Sequence, residues 1–108
     1  MELTFADDPD ESRFEAHLED GGLAAVMTYR LGRGWIALLH TEVRPELGGQ
    51  GVAGRFATWA FEEMRERGLR VVPSCPFIAA WLPRHPEVHD LLLRDADRAA
   101  AEREMGPD

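Results

Sequence analysis

Residues 40–68 read HTEVRPELGGQGVAGRFATWAFEEMRERG, which predicts an apolar strand, a glycine-rich turn and a long helix in that order. Gly48, Gly49, Gly51 and Gly54 remove the side chains that would keep a ligand away from the backbone. The free N–H groups of the first helical turn can then point at an anion, and the helix dipole favours negative charge there. This stretch therefore predicts a cradle for a phosphorylated ligand.

The predicted helix has one apolar face and one charged face. Its apolar residues recur at helical spacing: Val52, Phe56, Trp59, Ala60, Met64 and Leu69. Most of its charged residues fall on the other side: Arg55, Glu62, Glu63, Arg65, Glu66 and Arg67. Gly68 follows as the expected C-cap. We interpret the aromatic stripe as core packed on a sheet rather than as the lining of an acyl pocket.

Upstream of this stretch, the pattern predicts an antiparallel meander of three strands. Residues 13–18 alternate between apolar and polar, which leaves His17 facing solvent, and strands follow over residues 23–31 and 35–43. Asp20-Gly21 and Gly32 to Gly34 supply the two turns. Residues 1–11 predict a short strand and an acidic turn. The third strand of the meander is apolar on both faces, which is typical of a central, doubly covered strand.

Strict alternation along residues 35–43 assigns each side chain to a face. Ile36, Leu38, His40 and Glu42 share one face, and the odd-numbered residues 37–43 share the other. We therefore expect His40 and Glu42 to emerge together beside the glycine loop.

Downstream of the helix, residues 69–75 predict a short strand that runs parallel to the third one. If these two strands diverge, a ligand would enter the crevice between their ends, and Cys75 would stand at its mouth. Residues 77–82 predict a short helix, which the segment 83–86 breaks before another helix begins near Glu87. Residues 95–108 predict a peripheral helical segment that frays, and residues 1–11 are also expected to be peripheral.

Composition limits the class of protein. A chain of 108 residues with 44% apolar content fits one domain, residues 1–108, with a modest core. The net charge is -8, and all twelve basic residues are arginine. Because an acidic protein repels polyanions, we expect no nucleic-acid partner. We expect a monomer or a weak homodimer.

The single cysteine, Cys75, excludes an internal disulfide, and no Cys/His spacing predicts a metal site. His85 and His89 are therefore given no metal role. The N-terminus is acidic and lacks an apolar run, and no segment is long and apolar enough to span a bilayer. We expect a cytoplasmic protein without a membrane partner.

Three chemistries compete for the glycine stretch. A P-loop needs Lys followed by Ser or Thr after its last glycine, whereas Gly54 is followed by Arg55-Phe56. Residues 49–54 match the dinucleotide pattern GxGxxG, but a meander precedes them and no acidic residue closes the next strand. The third candidate fits best, and it rests on a resemblance to a known family.

Here the chain resembles the GCN5-related N-acetyltransferase superfamily. The coenzyme A loop of that superfamily reads [Arg/Gln]-x-x-Gly-x-[Gly/Ala], and Gly51-Val52-Ala53 fits its second half. Four further features, in this order, resemble the small, single-domain YjdJ-type branch over roughly residues 13–93: His40-Thr41-Glu42-Val43, the glycine loop, Val72-Pro73-x-Cys75-Pro76-Phe77 and His85-Pro86-Glu87.

The resemblance implies that acetyl-CoA or CoA binds with its pyrophosphate over the loop amides and its pantetheine along the backbone of Val43. The implied cofactor-binding residues are Val43, Gly48, Gly49, Gln50, Gly51, Val52, Ala53 and Gly54. Two positions depart from the superfamily. Gly48 stands where Arg or Gln is usual, which removes a side chain but leaves the amides. Trp81 stands where related sequences often have Tyr, so a phenolic acid is lost there.

The catalytic candidates are Glu42, His40 and Cys75. Glu42 is a candidate general base, or else a surface carboxylate paired with Arg44. His40 is an alternative base, or else a hydrogen-bonded strand residue. Cys75 is a candidate acetyl acceptor, or the acid that reprotonates the CoA thiolate, or else a small buried apolar residue.

The sequence thus predicts an α/β fold with a minimal mixed sheet of the superfamily's type. An antiparallel meander comes first, a strand-helix-strand crossover follows, and short helices end the chain. The predicted function is acetyl-CoA-dependent N-acetyl transfer to a small-molecule or protein amine. The alternatives are a CoA or acyl-CoA binding module without turnover, and an interaction domain that kept the fold and lost the ligand.

Overall fold

A five-stranded mixed sheet forms the centre of the computed structural model, which describes residues 1–94, 97, 98, 101, 103 and 104. The strands are β1 (Thr4–Asp8), β2 (Arg13–His17), β3 (Leu23–Leu31), β4 (Trp35–Val43) and β5 (Arg70–Pro73). They lie side by side in chain order; β1 to β4 are antiparallel, and β5 pairs with β4 in parallel. The α/β fold and the parallel fifth strand are confirmed. The meander has four strands rather than three, since β1 pairs along β2.

The helix α1 (Val52–Arg67) connects β4 to β5. Gly51 is its N-cap and Gly68 its C-cap, with Gly68 in the left-handed conformation at φ 68°. The Leu69 N–H donates to the Met64 carbonyl at 3.0 Å, which closes the last turn as predicted.

After β5 the chain forms α2 (Pro76–Trp81). Two 3₁₀ segments, Leu82–Arg84 and Pro86–Leu91, follow it. The prediction of a helix beginning near Glu87 was wrong in type, because that residue lies in the second 3₁₀ segment. Two further 3₁₀ turns, Pro9–Glu11 and Pro45–Leu47, follow β1 and β4. None of the described helices is long and apolar enough to cross a bilayer.

The main core lies between α1, α2 and one face of the sheet. Its largest fully buried side chains include Phe14, Met27, Ile36, Leu38, Phe56, Phe61, Met64 and Ile78. The aromatic stripe of α1 packs into this core, as predicted. Trp59 is half-buried and stacks on Phe5, with ring centroids 5.4 Å apart. The helix therefore attaches to the edge of the sheet through β1 as well as to its centre.

A second cluster covers the other face at the start of β4. Trp35, Ala37, Val72 and Ala101 are all buried there. Glu104 accepts hydrogen bonds from the Trp35 indole at 2.9 Å and from the Arg33 N–H at 3.1 Å. The prediction for residues 95–108 falls largely outside the described residues. Ala101 and Glu104 are described, and they contact the sheet.

Candidate functional site

A bulge in β4 decides which side chains face the crevice. Thr28 pairs with His40 and Tyr29 pairs with Leu38, so Leu39 has no partner on β3. An extra residue in a strand reverses the faces of everything after it. The prediction that Ile36, Leu38, His40 and Glu42 share one face was therefore wrong.

The contacts on either side of the bulge show this reversal. Ile36 and Leu38 belong to the main core before it, whereas Val43 packs against that core after it. The Thr41 hydroxyl lies 3.2 Å from the thiol of Cys75, which is also a core residue. Thr41 and Val43 thus lie on the core side.

The predicted divergence of β4 and β5 is confirmed. Their pairing ends at Leu38 and Pro73, although β4 continues to Val43. The Cys75 N–H makes one last bond to the Leu38 carbonyl, at 2.7 Å, before α2 turns the chain away. Beyond that bond the outer edge of β4 no longer pairs with β5. The expectation of a strand covered on both sides holds for residues 35–38, which are buried, but not for the whole strand.

The glycine loop forms an open helix N-terminus at the same end of the sheet. Gly49 and Gly51 adopt φ values of 79° and 78°, which side chains rarely allow. The first N–H with a carbonyl partner is that of Arg55, which donates to Gly51 at 3.1 Å, so the N–H groups at residues 52–54 have no acceptor within the helix. A Cβ added at Gly51 or Gly54 would meet no other atom within 4 Å. An anion can therefore approach these amides closely.

Cys75 does not stand at the mouth of the crevice, as the sequence predicted. It is 1% exposed, and it lies at the N-cap of α2 with its thiol against the Thr41 hydroxyl. The reason is that α2 begins at the next residue and brings Ile78 over the end of β5. The arrangement matches the alternative of a small buried residue.

His40 and Glu42 emerge together, as predicted, but on the face of the sheet opposite to Cys75. The His40 Nε2 lies 3.1 Å from the Glu42 carboxylate, and the two side chains are 58% and 70% exposed. Arg44 does not pair with Glu42; its guanidinium is 3.9 Å from Glu46. The three catalytic candidates therefore form one exposed pair and one separate buried thiol.

Three other positions of interest are occupied by structural contacts. The indole of Trp81 stacks on His85, at 3.8 Å between ring centroids, and on Phe61, at 5.5 Å. His85 also bonds to Glu87 at 2.8 Å, and the His89 Nε2 bonds to the Leu82 carbonyl at 2.7 Å. Each of these side chains thus helps to join α2, α1 and the 3₁₀ segments.

A groove lies beside Glu42, with a volume of about 220 Å³. The first residues of β3 and the last residues of β4 line it, together with Arg44 and Pro45. Sequence reasoning missed this groove and the Thr41 contact. No local signal marked the contact, because residues 35–39 are apolar at odd and even positions alike and so do not show the change of face.

The comparisons with known proteins agree with this geometry. The sequence profile of a family described as GCN5-related N-acetyl-transferase matches residues 13–91. The NMR solution structure of a protein from Staphylococcus aureus, described as GCN5-like and as a candidate N-acetyltransferase, superposes with a TM-score of 0.65. The two sequences are 30% identical, over 84% of this chain and 88% of that one. No curated protein matches the chain significantly.

Proposed function

Because the chain belongs to the GCN5-related N-acetyltransferase family, we propose that it binds acetyl-CoA and transfers the acetyl group to the amine of an acceptor. The observation that carries this proposal is the open helix N-terminus beside the unpaired edge of β4. A ligand with a pyrophosphate at one point and an amide-rich arm next to it needs both features together.

The residues present fit such a ligand. The amides at residues 52–54 are available for the pyrophosphate, and the open space beside Gly51 and Gly54 permits close approach. The pantetheine arm contains two amide groups, which can pair with the free edge of β4 up to Val43 as an added strand would. Gly48 supplies no side chain, so this cradle depends on backbone groups.

We assign the proton transfer to Glu42 and His40. Glu42 accepts the proton of the acceptor amine, directly or through water. The side chains of Glu42 and His40 are both exposed, so an amine or a water molecule can reach them. The His40 Nε2–H donates to the Glu42 carboxylate, which holds the carboxylate against the sheet face. The acetyl group is the contribution of the bound cofactor. Cys75 lies on the other face, so it does not act together with this pair.

A second candidate function is a CoA or acyl-CoA binding module without turnover. One observation favours it: the residue at position 81 is a tryptophan, stacked on Phe61 and His85, and its indole cannot supply the phenolic proton that would reprotonate a thiolate. The two candidates share the cradle and differ in chemistry. Release of free CoA thiol in the presence of acetyl-CoA and amines would separate them.

The cradle is best tested with Gly54→Ala. Alanine is favoured over glycine inside a helix by up to about 1 kcal/mol, so the variant should be at least as stable as the parent protein. The added methyl group enters the open space at the helix N-terminus. Calorimetry should therefore show CoA affinity reduced by about tenfold or more, the effect of losing one or two charge-assisted hydrogen bonds.

A matched control is Glu62→Ala, which lies on the exposed side of the same helix two turns further on. It should leave CoA affinity unchanged. CoA should also raise the melting temperature of the parent protein more than NAD does, because a ligand that binds the folded protein more tightly stabilises it more. Unchanged CoA binding by folded Gly54→Ala, or a larger shift with NAD, would contradict the proposal.

A further inference from the structure

We infer that the groove beside Glu42 takes an acceptor that carries a carboxylate as well as an amine, namely an α-amino acid with an apolar side chain. This inference rests on the proposed function, because it names the acceptor of the same site. It follows from the charges, the lining and the size of the groove.

Two opposite charges stand at the groove. Glu42 is in β4 and Arg44 follows two residues later, so both side chains project from the same side of the chain. Two residues of extended chain span about 6.6 Å. With the backbone positions this close, the two long side chains can reach one small molecule that carries both an amine and a carboxylate, with its amine at Glu42.

The backbone of Arg44 is fixed, whereas its guanidinium is loosely paired. The Arg44 N–H donates to the Ala24 carbonyl at 2.9 Å, which fixes the backbone. A Cβ at Gly22 would lie 3.0 Å from the Arg44 Nη2, so the glycine leaves space for the guanidinium. Its contact with Glu46 is 3.9 Å long, and the Arg44 side chain is 36% exposed. A planar guanidinium in this state can accept a carboxylate with two parallel hydrogen bonds.

The remaining walls are apolar. Val26 is half-buried and lies directly opposite Glu42, and the same end of β3 adds the half-buried Leu23 and the buried Ala24 and Ala25. The volume of about 220 Å³ is below the range of about 300–1,000 Å³ that is usual for drug-sized ligands. The groove therefore suits one small molecule with an apolar side chain.

The test compares L-leucine with 3-methylbutylamine, which is the same molecule without the carboxylate. With acetyl-CoA present, kcat/KM should be higher for leucine than for 3-methylbutylamine by about tenfold or more. The reason is that 3-methylbutylamine has no carboxylate to form the charge-assisted pair with Arg44. Arg44→Ala should raise KM for leucine by a similar factor, with little change in kcat, and should not affect 3-methylbutylamine. Arg44→Lys should recover part of the loss, since it keeps the charge but not the planar fork.

Two further variants sharpen the test. Glu46→Gln removes the competing carboxylate, so it should lower KM for leucine. Arg94→Ala alters an arginine that pairs with Asp97, away from the groove, and should change nothing. A readout that does not need turnover is the amide spectrum of the CoA-loaded protein, where leucine should shift residues 23–26 and 42–44 in the parent protein but not in Arg44→Ala.

The outcomes separate this inference from the proposed function. If CoA binds but 3-methylbutylamine or a lysine-containing peptide is acetylated as well as leucine, the inference is overturned and the proposed function stands. Intact CoA binding without acetylation of any of these amines also overturns the inference, and leaves the binding half of the proposed function. A parent protein that does not bind CoA overturns both.

Discussion

The two halves of β4 differ in almost every respect. Residues 35–38 are buried and pair with β5, and residues 36–38 also pair with β3. The main core covers one face of this half, and Ala101 packs on the other. Residues 40–43 are exposed or half-buried and pair only with β3. The bulge at Leu39 separates the two halves. One strand therefore contributes a packed anchor at one end and an accessible edge at the other.

This difference separates the residues needed for stability from those assigned to function. Burial at residues 35–38 fixes the strand, and the bulge then re-aims the chain so that Thr41 and Val43 face the core while His40 and Glu42 face solvent. The bulge leaves Leu39 without a partner on β3, and the pairing with β5 ends at Leu38, so the open half loses ladder hydrogen bonds on both sides. The packed half offsets that cost, which lets the open half keep free backbone groups for a ligand.

The largest effect is expected in the reactivity of Cys75, whose buried thiol contacts Thr41 in the open half of β4. Because it is 1% exposed and contacts Thr41, alkylation by iodoacetamide should be slower than in the urea-unfolded protein by on the order of a hundredfold or more. Intact mass spectrometry over time would measure both rates. Rapid labelling of the folded protein, slowed by CoA, would instead support the alternative in which the thiol meets the acyl group.

The two halves should also differ in their tolerance of substitution. Leu38→Ala removes a fully buried side chain and should lower the free energy of unfolding by about 3 kcal/mol, within the usual range for such cavities. Glu42→Gln should change it by less than about 0.5 kcal/mol, as for an exposed site, yet reduce acetyl transfer. Urea denaturation would measure both. Equal losses of stability would contradict the division of the strand.

Much of this division could be predicted from the sequence, and two parts could not. The turn residues and the apolar runs gave the correct bounds for β3 and β4, and the glycines gave both ends of α1. The faces of residues 40–43 were wrong because alternation assumes an unbroken ladder, and the bulge depends on how β3 pairs with β4. The burial of Cys75 depends on where α2 packs, which a local pattern does not contain.

The smallest expected effect concerns His17, at the end of β2. His17 was predicted to face solvent, but it is half-buried and bonds to the Glu15 carboxylate at 2.9 Å and to the Gly21 carbonyl at 3.2 Å. The bond to Glu15, followed by that to Gly21, raises the pKa of His17 above its ordinary value of 6.5. Arg13, followed by His17, lowers the pKa of Glu15.

The sign of the pH dependence follows from these directions. The His17 contribution is fully present below about pH 6.5 and is lost as pH rises through the raised pKa in the folded protein. Denaturation of the parent protein and of His17→Gln should therefore differ more at about pH 5.5 than at about pH 8.5, by less than about 1 kcal/mol for a partly exposed pair. A difference that does not change with pH would show that the ion pair contributes nothing to stability.

The central claim is that CoA occupies the open half of β4 and the glycine loop. Titrating ¹⁵N-labelled protein with CoA and following the amide resonances tests it most directly. The account predicts the largest shifts at residues 49–54 and at Thr41 to Val43, with little change at residues 35–38. Shifts confined to another surface, such as the contact of Trp81 with α1, or no saturable shifts at all, would contradict it.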